Sequence, residues 1–282
     1  MNRNDPLEQA ESVLKTSRAW FMDQQREDGH WAFELEADAT IPAEYIMLNH
    51  YLGEPDDAVE QKLAVYLRRI QEKSHGGWPL YHDGDFNISA SVKAYYALKL
   101  VGDSPDLPHM KIARNAILAR GGAAKANVFT RIALALFEQV PWRAVPVMRA
   151  EALLMPRWSP FHVDKISYWS RTVMVPLLIL AVLKPKARNP RNIDINELFV
   201  RPANDEDNYM VNPTGHWIGT LCLGIDRIAK IIEPLFPSGI EKKAIKKCLD
   251  FIGPRINGDD GLGAIFPAMA NTVMAFDALG YR

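Results

Sequence analysis

The sequence predicts an all-α protein, an α/α toroid of stacked helical hairpins. One segment occurs twice, first with Gln25 and Trp31 and again with Gln71 and Trp78, each time as helix, Gln, polar Gly turn, Trp, loop and second helix. Helical segments alternate with Gly turns along the rest of the chain. Such repeated units stack on one another, because a single hairpin cannot bury its apolar face alone. Closed into a ring, they would form inner and outer helices.

The composition is that of a folded protein with no polyanionic partner. Of the 282 residues, 48% are hydrophobic and 24% are charged, which is ordinary for a globular domain. The formal net charge is −1, so the chain has no basic field that would attract nucleic acid. Cys222 and Cys248 provide neither a disulfide framework nor a metal-ligand spacing, and we expect both to be small buried or interfacial hydrophobes.

The two complete copies of the repeat predict the first four helices. Their apolar spacing places helices over about Glu8–Gln24, Ile41–Leu52, Ala58–Gln71 and Ser89–Val101.

The Gln, Gly and Trp positions that recur in the two copies have a structural interpretation. Gly29 and Gly77 stand just past a helix end, where a left-handed residue turns the chain without a Cβ clash. The Gln of each copy can bind the orphan backbone groups at that helix end, and the Trp can close over the turn. We therefore expect these Gln and Trp side chains to stabilise the stack and to carry no chemistry.

Two weaker copies and a closing helix follow. Residues 113–122 keep the Gly turn but lack both Gln and Trp. Residues 244–263 align with the repeat, with Ile256 at the Gln position and Leu262 at the Trp position. A final helix is predicted over 270–280. Degenerate copies are common in repeat folds, where particular units are adapted to other contacts.

Two apolar segments are candidates for contact with a membrane. Val173–Leu183 is too short to span a bilayer and contains Pro176, so we interpret it as a buried inner helix. The segment 215–236 has apolar residues at helical spacing, among them Trp217 and Leu221. A helix with so wide an apolar sector either packs deeply or lies in a membrane interface, and the pattern alone favours packing.

The repeat resembles the QW motif of squalene–hopene cyclases and their triterpene cyclase relatives. Further matches occur in the same order, at Val128–Arg131, Pro141–Pro146 and Ser167–Arg171. The resemblance covers nearly the whole chain and implies one amino-terminal α/α-barrel domain over 1–282, with residues 1–15 packing outside the barrel. It implies a class II terpene cyclase, an isomerase that polycyclises squalene or a similar linear triterpene to a hopanoid by protonation, with no metal and no cofactor.

The resemblance also implies the partners. A carboxyl-terminal cyclase half would face this one, and the segment 215–236 would contact the membrane surface, which shifts the balance away from core packing. The protein would then be peripheral and monotopic on the cytoplasmic side, consistent with a polar amino terminus that lacks a secretory apolar run. No nucleic acid is expected, and a homodimer stays open.

The acid that starts the family's reaction has no match in this chain. Those cyclases resemble one another in an Asp-x-Asp-Asp motif whose central carboxylic acid protonates a terminal alkene, which requires a strengthened acid in a dry cavity. Asp83–Phe86, Asp205–Asn208 and Gly258–Gly261 do not supply the pattern and are interpreted as solvated loops or turns. We therefore predict no catalytic residue here, a chain that is inactive alone, and an acid in the carboxyl-terminal domain.

What these residues could contribute is a cavity wall that binds substrate. By the resemblance, Trp169 matches a wall tryptophan, and Ile265 and Pro267 match two residues of a Gly-x-Ile-Gln-Pro segment near the deprotonation end. Phe266 replaces the Gln that helps hold a water there. Because an apolar ring cannot orient water, the resemblance leaves open how the final cation loses its proton. Aromatic faces in such a wall attract cations.

Other interpretations remain open. The chain could be a non-catalytic helical-repeat scaffold that binds a lipid or a protein, or another α/α-toroid enzyme such as a prenyltransferase subunit or a glycosidase. His75 and His82 flank a Gly-rich loop, but their spacing matches no familiar metal-ligand pattern.

Overall fold

The computed structural model describes residues 6–31, 33, 36–159, 162–212, 215–233, 237–258 and 261–281. Over these residues the regular elements are helices, without a β-strand. The α-helices are α1 Pro6–Asp23, α2 Thr40–Leu52, α3 Asp57–Arg69, α4 Ile88–Val101, α5 Pro108–Leu118, α6 Val128–Leu136, α7 Tyr168–Leu183, α8 Trp217–Ile232, α9 Ser238–Ile252 and α10 Phe266–Ala278. The predicted all-α class is confirmed, and the first four helices lie within two residues of their predicted bounds.

The chain comprises two compact units, with the boundary between Glu36 and Ala37. The first unit contains α1 and the Gln, Gly turn and Trp of the first copy of the repeat. There the Gln25 amide donates to the Gly29 carbonyl at 2.6 Å, and the Trp31 indole N–H donates to the Phe21 carbonyl at 2.6 Å. Gly29 has a φ of +90°, as the turn was predicted to require.

The second copy of the repeat, in the second unit, makes the same two hydrogen bonds. The Gln71 amide donates to the Gly76 carbonyl at 2.8 Å and to the His109 carbonyl at 3.0 Å. The Trp78 indole N–H donates to the Leu67 carbonyl at 2.8 Å, and the ring is fully buried. Gln and Trp therefore fasten each turn to the helix that precedes it, as the sequence predicted.

The prediction that Gly77 is the left-handed residue of the second turn is wrong. That backbone conformation belongs to Gly76, whose φ is +77°. Gly77 is needed for a different reason, because a Cβ on it would lie 2.6 Å from the Ser91 hydroxyl oxygen and would overlap the Phe86 ring. The two glycines thus serve backbone conformation and close packing respectively.

The second unit is a ring of helices in two layers. The inner helices α2, α4, α6, α7 and α10 surround one cavity, α10 packing on both α2 and α7. On the outside, α3 packs on α2 and α4, α5 packs on α4, and α9 packs on α7. This is the predicted α/α-toroid arrangement. Buried residues of α7 include Pro176 and Leu177, so the prediction that 173–183 is an inner helix is confirmed.

The segment 184–200, which we call the belt, covers one end of the ring. Its backbone N–H groups at Ala187 and Arg188 donate to the carbonyls of Leu136 and Tyr51, at 2.8 and 3.1 Å. The Arg191 guanidinium donates to the Leu100 carbonyl at 2.6 Å. These carbonyls belong to the last turns of α6, α2 and α4, where helix carbonyls lack an intrahelical partner.

The belt also reaches α10 and a buried pair. Arg188 forms a bidentate ion pair with Asp277, with its Nη2 2.8 Å from the Asp277 Oδ1. Arg191 lies 3.2 Å from the fully buried Glu60, which contacts the fully buried His50. Burial lowers the pKa of His50 to about 4, so its imidazole is neutral near pH 7. With the carboxyl ends of the inner helices covered, the cavity opens toward their amino ends.

Candidate functional site

The cavity inside the ring has a volume of about 320 Å³. Its walls are mainly apolar and come from all five inner helices, with α4 contributing the charged Lys93. Several of the lining residues lie in the first turns of their helices, among them Thr40 of α2, Phe129 of α6 and Pro267 of α10. The amino ends of the inner helices therefore form the rim of an apolar cavity, which is the usual character of a small-molecule site.

A buried ion pair interrupts this apolar wall. Lys93 of α4 is 5% exposed, and its ammonium group is paired with the Glu44 carboxylate of α2. Both residues line the cavity. A charge in such a place is tolerated only when it is paired, because its hydration is lost. The pair is the one charged feature among the described lining residues of this cavity.

The sequence analysis did not identify Glu44 or Lys93. The available signal was a lysine inside the helix Ile88–Val101, where nearly every other residue is apolar or small and buried. A lysine in such a run indicates a partner across the interior, but the partner lies 49 residues earlier in the chain, so only the fold shows which carboxylate it is.

Trp169 lies at the start of α7 and is 57% exposed. Its ring covers Gly263, since a Cβ on that glycine would lie 3.2 Å from Cη2 and closer still to Cζ3. Tyr168 meets the same ring edge to face, with centroids 5.3 Å apart. Gly263 is two residues before Ile265, so the fold brings Trp169 and the segment 265–267 to the same end of the ring.

The segment 265–267 begins α10. The Ile265 carbonyl accepts from the Ala268 and Met269 N–H groups at 3.0 and 3.1 Å, and its side chain packs against the core. Phe266 lies beside Tyr45 of α2, with ring centroids 6.3 Å apart. Pro267 lines the cavity directly. Of the residues that the resemblance assigned to the wall, Pro267 therefore contacts the cavity and Phe266 lies at its aromatic rim.

Large aromatic side chains remain exposed around this rim. Phe129 is 52% exposed although it lines the cavity, and Tyr45 beside Phe266 is 37% exposed. Together with Trp169 they place several π-faces at one open end of the ring. Exposed aromatic area of this size indicates a surface that binds something, either a ligand or another protein segment.

A second exposed apolar surface lies on α8. None of its described residues is buried, and its exposed large apolar side chains are Trp217, Ile218, Leu221, Ile225, Ile228, Ile231 and Ile232. The interpretation of this helix as core is therefore wrong for Trp217–Ile232; residues 234–236 lie outside the described part of the chain. No described helix is long and apolar enough to cross a membrane.

The polar side of α8 holds it on the ring. The Asp226 carboxylate accepts from the Val147 N–H at 2.7 Å. Lys230 donates to the Arg143 carbonyl at 3.0 Å and lies 2.8 Å from Asp226. Because α8 is held by these polar contacts to the loop 143–147, its apolar residues face outward. Cys222 is exposed among them, whereas Cys248 of α9 is buried and its pKa is raised to about 12 by that burial.

The acidic clusters lie away from the cavity lining. Asp83 has a side chain that is 80% exposed and lies 3.0 Å from the exposed His82. The Glu206 carboxylate accepts from the Asn208 N–H at 2.7 Å, which is a loop contact. Asp259 and Asp260 lie outside the described residues. His75 uses both ring nitrogens on backbone groups, at Gly77 and Gly84.

The helical ring, the QW turns and the apolar cavity are the features that the resemblance to class II terpene cyclases predicts for their amino-terminal toroid. A family model for the squalene-hopene cyclase N-terminal domain matches residues 14–282. The chain belongs to the squalene–hopene cyclase family and provides its N-terminal domain.

Relatives of similar sequence agree with this assignment. The chain is 55% identical to a squalene–hopene cyclase of Bradyrhizobium diazoefficiens, over 96% of this chain and 41% of that protein. It is 53% identical to one of Zymomonas mobilis, over 99% of this chain and 42% of that protein. A squalene–hopene cyclase of Schizosaccharomyces japonicus is 49% identical over 97% of this chain and 42% of its own length. The chain thus spans about two fifths of the length of these relatives.

Proposed function

We propose that this domain forms one wall of the cavity in which squalene, or a similar linear triterpene, is polycyclised to a hopanoid. The observation that carries the proposal is the rim at the amino ends of the inner helices, where the half-exposed Phe129 lines the apolar cavity. Trp169 is exposed at the same end, and Phe266 lies there beside Tyr45. A polycyclisation passes through carbocations, and an aromatic face stabilises a cation without reacting as a base.

In this proposal Trp169, Ile265, Phe266 and Pro267 bind the substrate chain, and a carboxyl-terminal cyclase half covers the rim. That half supplies the acid, because protonation of an alkene needs a carboxylic acid held in a dry site, and the described carboxylates Asp83 and Glu206 are solvated loop groups. The rim aromatics would then become buried walls rather than exposed rings.

The first prediction is that residues 1–282 alone do not cyclise squalene. A wall that stabilises a carbocation cannot create one without a proton donor. The measurement is mass-spectrometric detection of pentacyclic product after incubation of the purified chain with squalene in detergent, with and without the carboxyl-terminal half of the Zymomonas mobilis relative. Product from the chain alone, abolished by Asp85→Asn or Asp259→Asn, would show that a turn carboxylate is the acid.

The second prediction concerns Trp169 in the reassembled enzyme. Trp169→Leu is expected to lower the rate of product formation about tenfold, because a desolvated cation–π contact contributes up to about 2 kcal/mol. Trp169→Phe should keep part of the rate, since it keeps a π-face. Trp158→Leu, at another exposed tryptophan, is the matched control. Equal rates for Trp169→Leu and the unsubstituted enzyme would remove Trp169 from the wall.

We further propose that α8 binds the membrane surface, as a peripheral contact on the cytoplasmic side. Its support is the row of exposed apolar residues on a helix whose polar side is already occupied by contacts with the ring. A helix of this kind lies in the plane of the interface with its apolar face among the lipid chains.

The third prediction tests that contact. The double variant Ile218→Glu, Leu221→Glu should no longer sediment with phosphatidylcholine vesicles, while its circular dichroism and thermal midpoint stay unchanged, because both side chains are exposed. Val65→Glu, Ile112→Glu is the matched control, with exposed apolar residues on α3 and α5. An unsubstituted chain that does not bind the vesicles, or an α8 variant that still sediments with them, would contradict the proposed contact.

A further inference from the structure

A stripe of lysines on α9 lies next to the carboxyl end of α8. Its members are Lys242, Lys243, Lys246 and Lys247. Their spacing of one, three and one positions places all four on one face of the helix. The opposite face carries Ala244, Ile245, Cys248 and Ile252, which are buried. Since α9 packs on α7 through that buried face, the lysine face is turned outward, and all four side chains are exposed.

The four lysines share their face of α9 with one exposed carboxylate, Asp250, so the stripe keeps a net positive charge. None of the four ammonium groups has an ion pair or hydrogen bond to a described residue. Other lysines of this unit are paired: Lys99 lies 2.8 Å from Glu197, and Lys184 lies 2.9 Å from Glu233. The acid in the first turn of α9, Glu241, is already paired with Arg149 at 3.2 Å.

Arg149 joins the end of α8 to the first turn of α9, directly before the lysine stripe. Its Nη1 lies 3.9 Å from the Glu233 carboxylate, directly after the last residue of α8, and its Nη2 contacts Glu241 of α9. The carboxyl end of α8 and the first turn of α9 are therefore held together by one guanidinium. Lys242 and Lys243 directly follow the residue that it binds.

From this juxtaposition we infer that the α9 lysine stripe is an electrostatic docking surface for anionic phospholipid headgroups, beside the apolar contact of α8. The inference rests on the proposed membrane contact of α8 and names the lipid that it selects. A cluster of four lysines beside an interfacial helix binds anionic lipid through its summed charge, because each lysine near the surface is attracted by the negative headgroups. Apolar insertion alone would not distinguish neutral from anionic lipid.

The experiment compares vesicle binding of the intact chain with that of a variant carrying Lys242→Gln, Lys243→Gln, Lys246→Gln and Lys247→Gln. The matched control carries Lys62→Gln, Lys73→Gln, Lys111→Gln and Lys125→Gln, four exposed lysines on other elements, so that the change in net charge is the same. Binding is measured by co-sedimentation with vesicles of phosphatidylcholine alone and with vesicles in which about a third of the lipid is phosphatidylserine, whose anionic headgroups give the surface a negative potential. Circular dichroism confirms that each variant is folded.

We expect the intact chain and the control to bind the anionic vesicles at least about tenfold more tightly than the neutral ones, and the difference to shrink at about 0.5 M salt. The α9 variant should bind both vesicles with the affinity of the neutral case. Equal reduction by the control variant, or no preference of the intact chain for anionic vesicles, would overturn the inference. Binding to neither vesicle by any form would instead contradict the proposed contact of α8.

Discussion

Replacing Trp78 with alanine is expected to lower the free energy of unfolding by about 3–5 kcal/mol, the range for a large aromatic removed from a core. The Trp78 ring is fully buried, so its loss removes transfer free energy and leaves a cavity in closely packed surroundings. The indole N–H also donates to the Leu67 carbonyl at 2.8 Å, and that carbonyl would lose its partner. Chemical denaturation followed by circular dichroism measures the change.

The same position separates packing from hydrogen bonding. Trp78→Phe keeps most of the buried ring but loses the donor, and a hydrogen bond of this kind contributes about 1 kcal/mol, so it should cost less than alanine. Trp31→Ala is the natural control, because Trp31 makes the equivalent hydrogen bond to Phe21 but is 43% exposed. It should cost less than Trp78→Ala. An unchanged midpoint for Trp78→Ala would contradict the account of the repeat as a structural fastening.

The sequence predicts the repeat well because its signals are local. Gln71, Gly76 and Trp78 lie within eight positions of one another, and each has a side-chain property that suits a helix end. The choice between Gly76 and Gly77 as the left-handed residue could not be made locally. It depends on Phe86 and Ser91, which pack against Gly77 and leave no room for a Cβ.

The belt and the cavity depend on contacts between distant parts of the chain. The segment 184–200 has no apolar period of a helix, and its role follows from Arg188 and Arg191 meeting carbonyls at the ends of α2 and α4. Trp169 and Pro267 were named from the resemblance alone, and the fold places them at one end of the ring. For α8, the pattern could not say which surface its apolar residues meet, because core and interface require the same spacing.

The second large loss of stability is expected when the Glu44–Lys93 ion pair is broken. Glu44→Ala removes the partner of an ammonium group that is 5% exposed and leaves it unpaired in an apolar cavity. Removing one partner of a buried ion pair costs about 3–5 kcal/mol. The Glu44 side chain is itself 21% exposed, so solvent relieves part of this cost and we expect the lower end of that range. Denaturant unfolding of the purified chain measures it.

The double variant Glu44→Leu, Lys93→Met decides whether the loss comes from the unpaired charge. Leucine and methionine fill similar volumes without a charge, and apolar replacement of a whole buried pair is often neutral or stabilising. The double variant should therefore be more stable than Glu44→Ala, although it removes more polar atoms. If both variants lose the same stability, the pair matters for its shape and not for its charge. In the reassembled cyclase Glu44→Ala should also lower turnover more than the double variant, because an unneutralised ammonium group beside the cavity raises the energy of any carbocation held there.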